Sequence, residues 1–285
     1  MSDFFTEIVN LMANAHISSP RLEAREIMAF ALNKNRSEIY SGCVIDDRQK
    51  AVVLNLVKKR IAHYPLDKLI GRKGFYKNEF ITNENVLSPR PETEILVEKT
   101  LELKPKNAPT NILDLGTGSG CIIESILAER SLWRGVAVDI SADALDVARK
   151  NARLLEVDNR LRFIQASWFD DDFFAKISES FDLIVSNPPY IPRSDINMLD
   201  DEVKLYDPNP ALDGGESGFD SYERIARITP QLLKNGGYIL LEAGIGQAKQ
   251  IAEIFEKQGL QCLEIVPDLS GIERCVILQK PVATL

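Results

Sequence analysis

Asn187-Pro188-Pro189-Tyr190 is the sharpest chemical signal in the sequence. Two consecutive prolines stiffen the backbone and remove two N–H donors. What remains is rich in acceptors, the Asn187 side-chain oxygen and the nearby carbonyls, with the aromatic face of Tyr190 beside them. That combination suits a planar NH2 group. The Asn187 oxygen and the Pro188 carbonyl can hold its two hydrogens while the Tyr190 ring packs on its π-plane. Held this way, the nitrogen can direct electron density at an electrophilic carbon for an in-line displacement. An amide nitrogen is a poor nucleophile because its lone pair is shared with the carbonyl. Two acceptors raise its electron density, and orientation supplies most of the acceleration, about 7–11 kcal/mol for a well-placed pair. No strong base stands nearby, and none is needed before transfer. The plainer alternative is a proline-rich turn after a strand.

A second motif supplies the electrophile. Gly116-Thr117-Gly118-Ser119-Gly120 follows an apolar strand pattern and precedes a helical one. Glycines at alternate positions let the backbone turn tightly and let a ligand approach without meeting Cβ atoms. A dinucleotide site spaces its glycines GxGxxG and seats pyrophosphate on the helix N-terminus. Here the third glycine comes one residue early, and Asp114 precedes the loop. An acid there repels phosphate and suits a cation. S-adenosylmethionine has no phosphate and carries an ammonium and a sulfonium. Asp139 follows Gly116 at about the 20-residue interval at which an acid accepts the ribose hydroxyls. Trp168 offers either a stacking face for adenine or a plain core tryptophan. Together these residues predict methyl transfer from S-adenosylmethionine to a planar amide or amino nitrogen, with S-adenosylhomocysteine as the other product.

Positioning these residues takes an α/β scaffold. Strands are predicted at 111–115, 135–140, 161–165, 181–186, 237–242, 261–266 and 274–279, mostly with helices between them. This alternation argues for a mostly parallel sheet covered on both faces. The last two strands, joined across 267–271, are expected to form a terminal antiparallel hairpin. Before the sheet, 69–88 mixes turn formers with aromatics and reads as a β-hairpin linker. A helix is expected to begin near Pro91. The first 65 or so residues read as helices. Phe4, Ile8, Leu11 and Ala15 share one stripe, with Phe5 and Met12 beside it. Ser19-Pro20 starts a second helix, which continues through Ala24, Ile27, Met28 and Ala31. Val53, Val57 and Ile61 mark a third, closed by Tyr64-Pro65. The expected domains are a helical substrate-docking domain at 1–67, the linker at 68–88 and the catalytic domain at 89–285.

Composition narrows the partners. Apolar residues make up 45% of the 285-residue chain and charged residues 27%, enough for a substantial core. The net charge of −8 disfavours non-specific phosphate binding. Cys43, Cys121, Cys262 and Cys275 show no CxxC spacing and read as separate thiols in a reducing compartment. With His16 and His63 the only histidines, no metal centre is expected. The N-terminus lacks the pattern of a signal peptide, and no apolar run is long enough to span a bilayer. A cytoplasmic monomer without membrane or metal is expected.

Taken with Leu69-Ile70-Gly71, Phe75-Tyr76 and Pro89-Arg90-Pro91-Glu92-Thr93-Glu94, these motifs resemble the HemK/PrmC family of class I methyltransferases. Asp207-Pro208, Ala211-Leu212, Gly214-Gly215, Gly218 and Glu273-Arg274 extend the resemblance over nearly the whole chain. The family's members methylate, at N5, the glutamine of the Gly-Gly-Gln motif in peptide chain release factors. The resemblance implies a Rossmann-like seven-stranded sheet and a small all-α N-terminal domain that grips the release factor. It implies a cofactor seat at Gly116, Thr117, Gly118, Ser119, Gly120, Asp139, Trp168 and Asn187. It implies a glutamine site at Asn187, Pro188, Pro189 and Tyr190, with Arg90 and Glu92 lining the entrance. In this chain Ser167 replaces the family's acid before the aromatic, and Ser88 replaces an aliphatic before Pro-Arg-Pro. Two other readings are weighed against this one. An exocyclic amine of adenine or guanine in RNA or DNA would suit the same motif, and a non-enzymatic ligand-binding module would suit the same fold.

Overall fold

Apolar runs in this chain are spaced by turn formers and helical stripes, and the architecture follows from that spacing. The structure is a computed structural model that describes residues 3–41 and 44–282. The expectation for Cys43 lies outside the described residues. The N-terminal helices are α1 (Asp3–Asn14), α2 (Pro20–Leu32), α3 (Arg36–Tyr40), α4 (Asp47–Ile61) and α5 (Leu66–Ile70). Two short strands follow, β1 (Arg72–Phe75) and β2 (Asn78–Ile81). Then come α6 (Glu94–Leu103), β3 (Thr110–Leu115), α7 (Cys121–Glu129), β4 (Trp133–Asp139), α8 (Ala142–Leu154) and β5 (Leu161–Gln165). The remainder is α9 (Phe173–Lys176), β6 (Phe181–Ser186), α10 (Asp201–Lys204), α11 (Asp220–Leu232), β7 (Leu233–Glu242), α12 (Ala248–Glu256), β8 (Gln261–Pro267) and β9 (Glu273–Gln279). By contacts the chain divides into two units, Met1–Arg72 with Asp200–Tyr206, and Lys73–Leu199 with Asp207–Leu285.

The smaller unit is helical. Phe5, Ile8, Met12, Ile27, Val53 and Val57 fill its core. The buried stripe of α1 is rotated from the one read in the sequence: Phe5 and Met12 are inside, and Leu11 is 40% exposed. The helix touches both α2 and α4, so its covered face is centred between them. Capping boxes start α3, through Asn35 and Glu38, and α4, through Asp46 and Gln49. Ser19 sits at the N-cap of α2 without a side-chain cap bond, so Pro20 sets that start through its fixed φ. Arg60 is buried, and its guanidinium donates to Glu23 and, at 2.7 Å, to Glu202. Tyr206 donates its hydroxyl to the Ala62 carbonyl at 3.0 Å and stacks edgewise on Tyr64.

The larger unit carries the seven-stranded sheet, in the order β5-β4-β3-β6-β7-β9-β8. Strands β3 to β7 are parallel, and β9 runs antiparallel to both β7 and β8. The central strands bury side chains on both faces, hence their near-continuous apolar runs. Alternate residues feed two cores. Leu113, Leu115, Ile184, Ile239 and Leu241 face one, and Ile112, Leu183, Val185 and Leu240 face the other. Strand β7 begins at Leu233, earlier than its apolar run suggests. Gly236 takes a positive φ of 74°, and the pairing with β6 shifts there, so the strand continues through turn formers. The hairpin β1–β2 turns at Tyr76, and a 3-10 turn over Pro91–Thr93 leads into α6.

Strand β3 lies between β4 and β6, so the chain order reverses there. Open α/β sheets form their ligand crevice at that point, beyond the carboxyl ends of the strands. Both chemical motifs of the sequence lie there.

Candidate active site

The register puts the two motifs side by side. Leu115 pairs with Ser186, so Gly116 and Asn187 leave neighbouring strands at the same level. The buried Ser186 hydroxyl donates to the Leu115 carbonyl at 2.6 Å and ties the two strand ends together. In the glycine loop, the N–H groups of Gly116 and Thr117 both donate to the Val138 carbonyl at 2.9 Å. Gly116, Gly118 and Gly120 all take positive φ. At Gly116 the absent side chain also makes room, because a Cβ would stand 3.3 Å from the Trp168 ring.

A cavity of about 520 Å³ opens over this junction. Gly116, Gly118, Asp139, Trp168, Asn187 and Pro189 share its wall. Asp139 accepts from the Gly118 N–H at 2.8 Å and the Ser141 N–H at 2.9 Å. Those bonds hold the carboxylate in place and leave lone pairs to spare. Burial raises its pKa above the ordinary range, opposed by these same hydrogen bonds. The Trp168 indole N–H is buried without a partner among the described residues. Ser167 also lines the cavity, and its hydroxyl accepts from the Phe169 N–H at 3.1 Å.

Other predicted residues stand behind this wall. Thr117 and Ser119 are buried, and Gly120 caps α7. Asp114 also lies behind the loop, where one carboxylate oxygen accepts from the Thr117 hydroxyl at 2.7 Å and the other has no partner among the described residues. Burial pushes its carboxyl up to about 7. Pro188 is buried. Tyr190 packs against the core under Gly244, and burial pushes its phenol well up. Arg90 pairs with Asp207 at 3.0 Å, and Glu92 is exposed. Neither Arg90 nor Glu92 lines the cavity.

The chain after Tyr190 folds back over the motif. The Ile191 N–H donates to the Leu212 carbonyl, the Gly214 N–H to the Ile191 carbonyl and the Arg193 N–H to the Gly215 carbonyl. A Cβ on Gly214 would stand 2.8 Å from the Tyr190 backbone, and one on Gly218 2.5 Å from its carbonyl oxygen. Only glycine permits so close an approach.

Comparisons with known proteins show the family. Residues 106–275 match the methyltransferase domain family, and residues 3–71 match the PrmC N-terminal domain. A release factor glutamine methyltransferase of Caulobacter vibrioides is 36% identical over 275 residues, 96% of this chain and 94% of that one. One from Rhodospirillum rubrum is 38% identical over 274 residues, 94% of this chain and 82% of that one. The chain belongs to the release factor glutamine methyltransferase family. A methyltransferase of known structure from Pyrococcus furiosus shares the fold, with a TM-score of 0.50 at 18% identity over 84% of this chain and all of that one. The class I, Rossmann-like expectation is borne out, and so is the resemblance to HemK/PrmC.

In this member of the family, part of the cavity wall comes from residues that carried no motif. Asn85, Val86 and Leu87, read as linker, line it, as do Ile140, Ser141 and Phe169. The position of Ser141 and Ile140 directly after Asp139 was a usable signal. The role of 85–87 was not readable, because it depends on where the hairpin returns in space. Pro208, Asn209 and Asp213 also line the cavity, from a loop flagged only by resemblance. Glu242, buried beside Asn187, carried no motif, and Thr93, buried there too, stood in the Pro-Arg-Pro segment without a role of its own. Among the described residues no cluster of three His, Cys, Asp or Glu side chains could hold a metal.

Proposed function

We propose that this chain transfers the methyl group of S-adenosylmethionine to the side-chain amide nitrogen of the glutamine in a release factor's Gly-Gly-Gln motif. One observation carries the reading: Asn187 shares a cavity wall with Gly116, Gly118, Asp139 and Trp168, so acceptor and donor sites open on one space. The residues fit the cofactor. The glycine at 116 leaves space against Trp168, the hydrogen-bonded Asp139 can accept from ribose hydroxyls, and the indole offers a face for the adenine. When bound, the cofactor supplies a methyl carbon already activated by its sulfonium.

The protein's own work is to hold and aim the amide. Asn187 Oδ1 and the Pro188 carbonyl accept the two amide hydrogens, and the stiff Pro188-Pro189 backbone keeps these acceptors at a fixed separation. Held at Gly116, Gly118, Asp139 and Trp168, the cofactor would supply the methyl carbon, with the new C–N bond replacing its S–C bond and S-adenosylhomocysteine as the product. One amide proton then passes to water, since methylation makes the nitrogen far more acidic. The helical unit, matched by the PrmC N-terminal domain, serves to dock the release factor. The free thiols Cys121, Cys262 and Cys275 support action in the cytoplasm. Among the described residues no helix is long and apolar enough to cross a membrane.

The test is mass spectrometry of an unmethylated release factor after incubation with enzyme and S-adenosylmethionine. One added methyl on the Gly-Gly-Gln peptide is expected. An unmodified peptide in the presence of bound cofactor would overturn the proposal. Asn187→Ala should abolish transfer and leave cofactor affinity, by calorimetry, within a few-fold.

A further inference from the structure

Asn187 is an ambiguous side chain, because its oxygen and its NH2 have nearly the same shape. The proposed chemistry needs the oxygen to face the cavity, so something must hold the NH2 inward. Strand alternation identifies the group. Ser186 pairs with Leu241, which places Asn187 and Glu242 at the next level on neighbouring strands. Leu183 and Val185 on β6, and Leu240 on β7, face the same core, so Asn187 and Glu242 continue that shared face. The 3-10 turn before α6 brings Thr93 to the same spot. Asn187 Nδ2 donates to the Thr93 hydroxyl at 3.3 Å. The Thr93 and Asn187 side chains lie close enough to the Glu242 carboxylate to favour its charged form. Glu242 is 2% exposed and does not line the cavity, and its Oε2 has no hydrogen-bond partner among the described residues.

We propose that Glu242 is a positioning residue: its carboxylate draws the Asn187 NH2 and the Thr93 hydroxyl inward and so turns Asn187 Oδ1 toward the substrate amide. The inference rests on the reading of Asn187 as the amide holder. An ionised carboxylate only accepts, so it fixes the direction of each hydrogen bond in the cluster. A protonated one can donate, and the Asn187 amide can then flip.

The charged and titratable groups around Glu242 come from each element packed there. They are Arg274 and Cys275 on β9, Glu92 in the turn before α6, Tyr190 after β6, Tyr222 on α11 and Cys121 on α7. Burial is the largest influence and pushes the carboxyl up to about 7; Arg274 opposes it and Glu92 adds to it. Orientation of Asn187 therefore improves as pH rises through that value.

The test uses Glu242→Gln, which keeps the shape and one acceptor oxygen but adds a donor that can pull Asn187 Oδ1 inward. The single-turnover rate on the release factor should fall about 100-fold, as expected for a misplaced reacting group. Affinity of the S-adenosylhomocysteine-bound enzyme for a Gly-Gly-Gln peptide should fall about 10-fold, the value of one hydrogen bond. Calorimetry should show cofactor affinity essentially unchanged. Adding Glu242→Gln to Asn187→Ala should leave peptide affinity where Asn187→Ala alone puts it. A further fall in the double variant would show that Glu242 acts independently of Asn187, and would overturn the inference. Wild-type turnover should rise with pH through about neutrality, and this limb should be absent in Glu242→Gln; its persistence overturns the inference equally. If Asn187→Ala alone binds the peptide as wild type does, the reading of the amide site itself fails, and this inference falls with it.

Discussion

Asp139 shows how one residue can prepare a site before any ligand arrives. Its carboxylate is tied to the Gly118 and Ser141 N–H groups, so it joins the glycine loop to the start of α8. Hydrogen bonds to a charged group are each worth about 1.5–3 kcal/mol. Asp139→Asn exchanges those acceptors for an amide that must turn a donor toward one N–H. We expect cofactor affinity to fall about 10- to 100-fold, measured by calorimetry, and the thermal midpoint of the unliganded chain to fall as well, since one N–H loses its acceptor. Unaltered affinity would remove Asp139 from the cofactor seat. Asp139, Asn187 and the glycines were legible in the sequence because type and spacing carry their chemistry locally. Glu242 was not, and Thr93 showed only as part of the Pro-Arg-Pro segment, since the meaning of each comes from the strand or turn that ends beside Asn187.

The strand ends themselves carry a second consequence. Asp114 on β3 and Glu242 on β7 are buried, and burial pushes both carboxyls up to about 7. Glu124 on α7, buried beside Asp114 with neither oxygen partnered among the described residues, is held well above its ordinary range. The folded state binds these protons more tightly than the unfolded chain. For Asp114 and Glu242 this contribution is therefore full below about pH 4 and is lost as pH rises through the folded values of about 7. Asp114→Asn keeps an acceptor for the Thr117 hydroxyl and cannot ionise. Its melting temperature, by scanning calorimetry without ligand, should exceed that of wild type at pH 8, with the difference closing by pH 5. A constant difference at both pH values would contradict this. The strands that hold these acids were readable from apolar runs, most to within a residue or two. The early start of β7 was not, because the glycine that would end a strand instead bends it at Gly236.

On the scale of the molecule, the chain makes two units out of one unbroken path that is not divided in sequence order. The helical unit takes back Asp200–Tyr206 from between segments of the sheet unit. Sequence reading placed the helical module by its stripes but could not assign this return, since a seven-residue polar stretch carries no periodicity. Arg60 marks its importance: Arg60 is buried against Glu23 and reaches Glu202 on the returning segment. Removing one partner of a buried pair costs about 3–5 kcal/mol, because the other charge is left behind. Arg60→Ala should lower the stability of the helical unit by that amount in chemical denaturation of the full chain, while cofactor still binds. Equal denaturation midpoints would show that the pair contributes nothing.

The same threading governs where this protein can be cut. A fragment ending at residue 72 lacks the stretch that supplies the Tyr206 ring to Tyr64 and the Glu202 carboxylate to Arg60. A fragment starting there still carries that stretch, with the Tyr206 ring and hydroxyl parted from Tyr64 and Ala62. Neither half is a self-sufficient building block. Shuffling such modules between relatives therefore requires exchanging two separated pieces of gene together.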